Sequence, residues 1–273
     1  MAAAQTDDRW ALGSAYERYM GRWSRALARP FLATLDVPRR VRWLELGCGT
    51  GALTEAILET QDPAAVLACE PAQPLLDHAR AHIHDSRATF HPVGSGSLPR
   101  PGTEPPVDVV VSSLVLNFIP DPPAAVREMA ACARAGGAIA AAVWDYASGM
   151  ELLRYFWDTA AALDPVAATL DEGRRFPLCE PAALAALFQA GGLEQVRTGA
   201  VTIVTEFASF EDYWQPLLGG TGPAPSYVAS RTPAQRDQLA VALRAALPIA
   251  ETGQVILRAR AWTVQARVGS TAE

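Results

Sequence analysis

The chain contains no lysine: all 23 of its basic residues are arginine. That excludes a Gly-Lys-Ser/Thr phosphate loop, whose lysine reaches the nucleotide phosphates. It excludes Schiff-base chemistry, pyridoxal phosphate on lysine included, and the Tyr-x-x-x-Lys pair of short-chain dehydrogenases. Cysteine is scarce as well. Cys48, Cys69, Cys132 and Cys179 are widely spaced and form no C-x-x-C pair, which points to free thiols rather than disulfides or zinc ligands. No apolar run reaches membrane-spanning length, because charges and prolines interrupt each one. The first residues, Met-Ala-Ala-Ala-Gln-Thr-Asp-Asp, lack a basic-then-apolar secretion signal. These absences predict a cytoplasmic protein with no membrane partner. A net charge of −6 argues against nucleic acid as the main partner. An arginine- and alanine-rich chain without lysine suggests a GC-rich bacterial genome.

Hydrophobic residues make up 50% of the 273-residue chain, ample for a packed core. The rest of the sequence is organised around Val41 to Gly51, where an apolar run ends in alternating glycines. Val41 to Leu46 reads as a short buried strand and Ala52 to Thr60 as a helix with one apolar side. A strand, a glycine turn and a helix start together let a ligand approach the main chain. The spacing Gly47-x-Gly49-x-Gly51, followed by Ala52, does not by itself exclude the dinucleotide fingerprint G-x-G-x-x-G/A. Glu45 decides the matter: a carboxylate there repels a pyrophosphate and suits the ammonium of an amino-acid-bearing nucleoside. A glycine turn with no ligand is the bland alternative.

This stretch resembles motif I of the class I S-adenosylmethionine (SAM) methyltransferases, a hydrophobic run followed by E/D-x-G-x-G-x-G. The resemblance implies SAM as cofactor, S-adenosylhomocysteine as its product, no metal, and a cofactor site built on Glu45, Gly47, Cys48, Gly49 and Gly51. Ala65 to Glu70 is a second apolar strand ending in an acid. Glu70 lies where a carboxylate accepts both ribose hydroxyls, and Pro71 then lies against the adenine. In the segment Gly94-Ser95-Gly96-Ser97-Leu98-Pro99 such enzymes usually read G-D-A-x-x-L-P. Ser95 stands in place of the aspartate, so its hold on the adenine amino group is weaker; Gly96 follows it. Val107 to Ser113, then Leu114 to Asp121, resembles the fourth strand and post-strand loop of the family. Ser112 to Leu114 then supply backbone contacts near the sulfonium, and Asn117 reaches the mouth of the site or caps a turn.

Ser14 to Arg29 reads as an amphipathic helix ending near Pro30, with Tyr16, Tyr19, Met20, Trp23 and Leu27 on one side and arginines on the other. It packs on the core, or it forms a lid that brings Tyr19 and Arg22 to the cofactor and Tyr16 and Trp23 to the acceptor. Tyr-x-x-Tyr-Met-Gly-Arg-Trp-Ser resembles the N-terminal segment of some small-molecule methyltransferases. His78 and His82 lie one helical turn apart but lack a third ligand, so no metal is expected. Pro123 to Arg134 reads as a helix stopped by Ala135-Gly136-Gly137, and Ala138 to Trp144 as the fifth strand. Trp144, Asp145 and Tyr146 follow at the sheet edge where open α/β sheets bind ligands. Asp145 is the candidate base, with Asn117 and Tyr146 beside it and Trp144 against the acceptor. The alternative is a capping Asp145 flanked by core aromatics. Asp171 to Leu178 reads as a charged loop whose Arg174 and Arg175 are candidate substrate contacts.

The expected fold is α/β: a Rossmann-like, doubly wound, mostly parallel sheet of seven strands, the last antiparallel, with helical lid and insert segments. A single domain is expected over 1–273. A helical lid occupies 1–35 and a SAM-binding core 36–145. Substrate-pocket segments follow at 146–192 and 207–250, with C-terminal strands at 193–206 and 251–268. The expected function is methyl transfer from SAM to an oxygen, nitrogen or activated carbon of a small molecule, in bacterial secondary metabolism, by aligned in-line displacement. The rivals are an NAD(P)-dependent oxidoreductase and a SAM-binding protein without catalysis. Oligomeric state is not readable from the sequence.

Overall fold

A short apolar strand feeding a glycine turn sets the architecture. In the computed structural model, which describes residues 17–99, 105–220 and 222–269, β1 (Arg42–Leu46) lies at the centre of a seven-stranded sheet. The strand order is β3-β2-β1-β4-β5-β7-β6. The other strands are β2 (Ala65–Cys69), β3 (Ala88–His91), β4 (Val107–Ser113), β5 (Ala133–Trp144), β6 (Leu193–Phe207) and β7 (Val255–Val268). β1 pairs in parallel with both β2 and β4, Leu44 lying between Leu67 and Val110. The chain therefore winds outward from β1 to β3, then returns to β4 on the other side. That reversal leaves a crevice beyond the carboxyl ends of β1 and β4, the usual ligand position of an open α/β sheet. β7 inserts between β5 and β6, antiparallel to both, as expected.

Helices flank the sheet. α1 (Arg22–Leu32) packs against α2 (Ala52–Thr60) and the outer strand β6, while α3 (Gln73–His82) follows β2 and α4 (Pro122–Cys132) follows β4. The remaining helices are α5 (Glu151–Leu163), α6 (Glu172–Arg175), α7 (Pro181–Ala190), α8 (Phe210–Trp214), α9 (Pro223–Ala229) and α10 (Pro233–Ala246). The central strands bury both faces, so they read as continuous apolar runs rather than alternating ones. Val109, Val110 and Val111 are all essentially inaccessible to solvent.

Three expectations are corrected. Pro30 does not end the first helix, whose described part opens with a wide turn at Glu17–Gly21 and runs on to Leu32. Phe31 and Leu32 are fully buried there, and their burial outweighs the one hydrogen bond that proline forgoes. Gly136-Gly137 does not stop a helix, because α4 ends at Cys132 and these glycines fall in an irregular start to β5. The charged stretch after Asp171 folds into α6, capped by the Asp171 carboxylate accepting from the Gly173 N–H at 2.8 Å.

The tight point is the glycine turn. Gly51 caps α2 with φ +92°, and a Cβ there would lie 2.5 Å from Cδ1 of Ile83. Gly51→Ala is expected to destabilise the fold by about 1–3 kcal/mol through backbone strain and the clash together. Thermal denaturation should show a lower Tm; an unchanged Tm would mean that the turn and Ile83 relax without strain.

Candidate functional site

The crevice at the reversal of the sheet holds a cavity of about 460 Å³. Its floor is the glycine turn, fixed at several points. The N–H groups of Gly47 and Cys48 both donate to the Cys69 carbonyl, at 2.8 and 2.9 Å. Glu70, the next residue, receives the Gly49 N–H on one carboxylate oxygen at 3.0 Å and the Ala72 N–H on the other at 2.8 Å. One acid thus ties the β1 turn to the β2 turn. Burial raises its pKa and the two N–H groups oppose that rise. At Gly49 nothing lies within 4 Å of where a Cβ would be. The absent side chain leaves bare main chain facing the cavity.

Glu45 also lines the cavity and is only 1% exposed. The Thr54 hydroxyl donates to it at 2.5 Å. Burial pushes its pKa up to about 7, against the Thr54 hydrogen bond and with help from the Glu70 charge. The same burial, with Glu45 and Glu70 nearby, raises the Cys48 thiol and keeps it neutral. The loop after β3 is held from α4: Glu128 receives the N–H groups of Gly96 at 2.5 Å and Leu98 at 3.0 Å. Gly94, Ser95 and Pro71 form that wall.

The other half is apolar. Val115, Phe118, Ile119 and Pro120 follow β4, and Trp144 and Tyr146 follow β5, with Met20 and Ser24 closing over them. Phe176 backs this wall, 5.0 Å from Phe118 and 5.6 Å from Tyr146 between ring centroids. Leu114 holds φ +64°, an unusual conformation for a bulky residue. It is fixed there by its N–H donating to the Ala142 carbonyl at 2.7 Å. The closing segment is latched to the glycine turn. The Thr50 hydroxyl donates to Glu17, and Arg25 bonds both Glu17 and Glu55.

Of the residues singled out from sequence, Glu45, Gly47, Cys48, Gly49, Glu70, Pro71, Ser95, Leu114, Trp144 and Tyr146 line this cavity. Gly51, Gly96 and Ser112 support it from behind; the Ser112 hydroxyl donates to the Leu46 carbonyl at 3.0 Å. Tyr19, Arg22 and Trp23 do not line it. They border a separate small crevice with Phe207 and Tyr213. Arg22 is bound there to Asp212 at 3.0 Å and stacks on Trp23 and Phe207. The lid reading brought these three to the ligand; instead the face of Tyr19, Met20, Trp23 and Leu27 packs on the core, and Met20 and Ser24 are the residues of this helix that meet the cavity.

Arg174 is exposed, and Arg175 stacks on Phe176 at 5.2 Å; neither reaches the cavity. Asp145 is off its wall as well. Its carboxylate receives Arg260 at 2.8 Å (Nε) and 2.5 Å, and the Ser148 N–H at 3.1 Å, so it clamps β7 to the turn after β5. Asn117, expected at the mouth, is also off the cavity lining: it sits on the turn beside Phe118 with both amide atoms buried and unpartnered among the described residues. Tyr16 lies outside the described residues. His78 and His82 stack at 4.1 Å, and no group of three metal-ligating side chains occurs among the described residues.

Sequence reasoning missed Glu17, Thr50, Glu128 and the Phe118–Pro120 wall. Thr50 sits inside the glycine motif and Phe118 inside the post-strand pattern, so both carried a positional signal. Glu128 carried none, being an ordinary acid on an amphipathic helix.

Comparison with known proteins agrees with this geometry. Residues 44–139 match the family model described as a methyltransferase domain. The chain is 27% identical over 111 residues to a malonyl-[acyl-carrier protein] O-methyltransferase of Magnetococcus marinus, covering 40% of each chain. It is 26% identical over 125 residues to a trans-aconitate 2-methyltransferase of Variovorax paradoxus, covering 46% of each. The matches thus span less than half the length of these relatives. Among solved structures, phosphoethanolamine N-methyltransferase 2 of Haemonchus contortus with S-adenosyl-L-methionine superposes with a TM-score of 0.57 at 14% identity. That superposition covers 95% of this chain and 57% of the other, and it establishes the shared fold.

The Asp145 clamp yields a stability prediction. Asp145→Asn keeps the shape but removes the charge that holds Arg260, at an expected loss of about 1.5–3 kcal/mol. Denaturant unfolding should show a lower midpoint, while affinity for S-adenosylhomocysteine stays near the parent value. Parent stability with reduced ligand affinity would instead put the carboxylate in the binding site.

Proposed function

From a chain with the class I methyltransferase fold and that family's domain signature, we propose a SAM-dependent methyltransferase acting on a small molecule. The observation that carries the reading is the pairing of two acids around bare main chain: Glu45 and Glu70 on either side of Gly49. The donor set fits the cofactor. Glu70 keeps lone pairs for a ribose diol, Glu45 supplies the negative partner of an ammonium, and the open face at Gly49 admits the nucleoside edge. Glu70 would hold the ribose of either cofactor, but Glu45 opposes a pyrophosphate, which disfavours the NAD(P) oxidoreductase reading. When bound, SAM supplies a methyl on a cationic sulfur, whose bond electrons stay with sulfur as a neutral thioether leaves.

The protein's part is then alignment and exclusion of water. Pro71, Ser95 and Gly94 flank the adenine side. Ser113, Leu114 and Val115 bring backbone to the sulfonium end, and the rings of Trp144 and Tyr146 face the region where positive charge is held. Met20 and Ser24 close over the acceptor. Asn117, whose amide atoms are buried and off the cavity lining, is not a contact for the acceptor. Tyr146, which lines the cavity, is the proposed polar contact for the acceptor's reacting group. The relatives' acceptors, named for malonyl and aconitate groups, make carboxylate methylation the alternative acceptor chemistry.

Two kinds of measurement test this reading, and the first is ligand binding. S-adenosylhomocysteine at a hundredfold excess over its dissociation constant should stabilise the protein by about 2.7 kcal/mol in a thermal melt. NAD(H) should leave the Tm unchanged, and the opposite pattern would overturn the assignment. Glu70→Ala should weaken S-adenosylhomocysteine binding by about 1.5–3 kcal/mol.

The second is a pH dependence. In the empty folded protein Glu45 holds its proton up to about pH 7, against 4.5 for the free side chain. Its contribution to stability is therefore present at acid pH and is lost as pH rises from 4.5 to 7. Ligand ammonium requires the ionised form, so S-adenosylhomocysteine affinity should rise between pH 6 and about 7.5, then level off. Calorimetry in two buffers should detect proton release on binding near pH 6.5. Glu45→Gln should abolish both the proton release and the pH slope; a slope that survives it would assign the titration elsewhere.

A further inference from the structure

The acceptor half of the cavity has a definite electrostatic character. Among the described residues lining the whole cavity there is no arginine, lysine or histidine. Its only charged-type side chains are Glu45 and Glu70. The described acceptor wall is apolar and aromatic, from Met20, Phe118, Ile119, Pro120, Trp144 and Tyr146, with Ser24 beside Met20.

The guanidiniums on the surrounding elements are committed elsewhere. Arg22 is held by Asp212 at 3.0 Å, and Arg25 by Glu17 at 3.2 Å and by Glu55. Arg260 is held by Asp145, between the two aromatic residues of the wall. Arg175 stacks on the back of Phe176, and Arg18 is exposed. An anion entering this half would be desolvated against apolar side chains with no cation to pair with it, which is strongly unfavourable. The cofactor does not change that sign. Its ammonium and sulfonium less its carboxylate give one net positive charge, against two ionised glutamates.

We infer that the acceptor is a molecule that is neutral in its bound form, largely apolar, and carries a single hydroxyl or amine, rather than a carboxylate or phosphate. This rests on the proposed cofactor assignment and narrows its substrate class. The polar side chains on this wall are neutral hydroxyls, those of Ser24 and Tyr146, which suit one hydroxyl or amine on an otherwise apolar body. The class departs from the acids named for the curated relatives. The difference follows from this chain's own wall, since an acidic acceptor needs a fixed cation that the described residues do not offer.

The test uses the full chain and a matched pair of probes, 2-naphthol and 6-hydroxy-2-naphthoate, differing only by a carboxylate. S-adenosylhomocysteine is titrated first by calorimetry. Failure to bind would remove the cofactor assignment and this inference with it. With S-adenosylhomocysteine saturating, 2-naphthol is expected to bind at least about tenfold more tightly than 6-hydroxy-2-naphthoate, a difference of 1.4 kcal/mol. Ile119→Arg places a guanidinium on the wall and, measured with S-adenosylhomocysteine again saturating, is expected to erase or invert that preference. If the parent binds the carboxylate as tightly as the naphthol, or does not bind the naphthol at all, the inference is overturned and the cofactor assignment stands.

Discussion

The Glu70 carboxylate, with one oxygen on the Gly49 N–H and the other on the Ala72 N–H, is the interaction from which the site is built. It joins the turns after the two central strands, and it does so from inside the cavity it helps to enclose. A buried acid is unfavourable unless its lone pairs are met. Two backbone donors meet part of that need and leave further acceptor capacity facing the cavity. The turn it fixes is the one that exposes main chain at Gly49 and starts α2 at Gly51. Thr50 of the same turn carries the latch to Glu17, so the closing segment is referenced to the same point. Floor, rim and roof therefore share one anchor.

The cavity is divided by chemistry. Toward β1 and β2 it is acidic, with Glu45 poised near neutrality by burial. Toward β4 and β5 it is aromatic and aliphatic. A cofactor that carries an ammonium and a sulfonium suits the first half; a neutral acceptor suits the second. The boundary falls near Leu114, whose strained backbone is held by the Ala142 carbonyl. Strain of that kind persists only where neighbours over-determine the conformation. The Asp145–Arg260 pair lies just behind this boundary and fixes the turn that presents Trp144 and Tyr146.

Much of this was legible in the sequence because it is local. The apolar runs at β1, β2 and β4, the spacing of three glycines, and the acid ending β2 each encode their own conformation and place. What escaped depends on partners distant in the chain. Asp145 read locally as a base or as a cap between core aromatics, and the cap holds, since its carboxylate accepts the Ser148 N–H between buried Trp144 and Tyr146. Its charged partner, Arg260, lies 115 residues away. Glu128 reaches the loop at Gly96 from a helix 32 residues further on. The apolar face of the first helix was legible, since Tyr19, Met20, Trp23 and Leu27 are all buried, but which residues meet the cavity was not: Met20 and Ser24 do, while Tyr19, Arg22 and Trp23 border Phe207 and Tyr213. Pro30 misled because burial of Phe31 and Leu32 outweighs its helix-breaking tendency.

The central claim is that the cavity between Glu45 and Glu70 is the seat of SAM. A crystal structure of the protein grown with S-adenosylhomocysteine tests it most directly. The account predicts ligand density across Gly49, with the ribose hydroxyls on the Glu70 carboxylate and the amino group on the Glu45 side. Density seated elsewhere, or a ribose that does not touch Glu70, would contradict it.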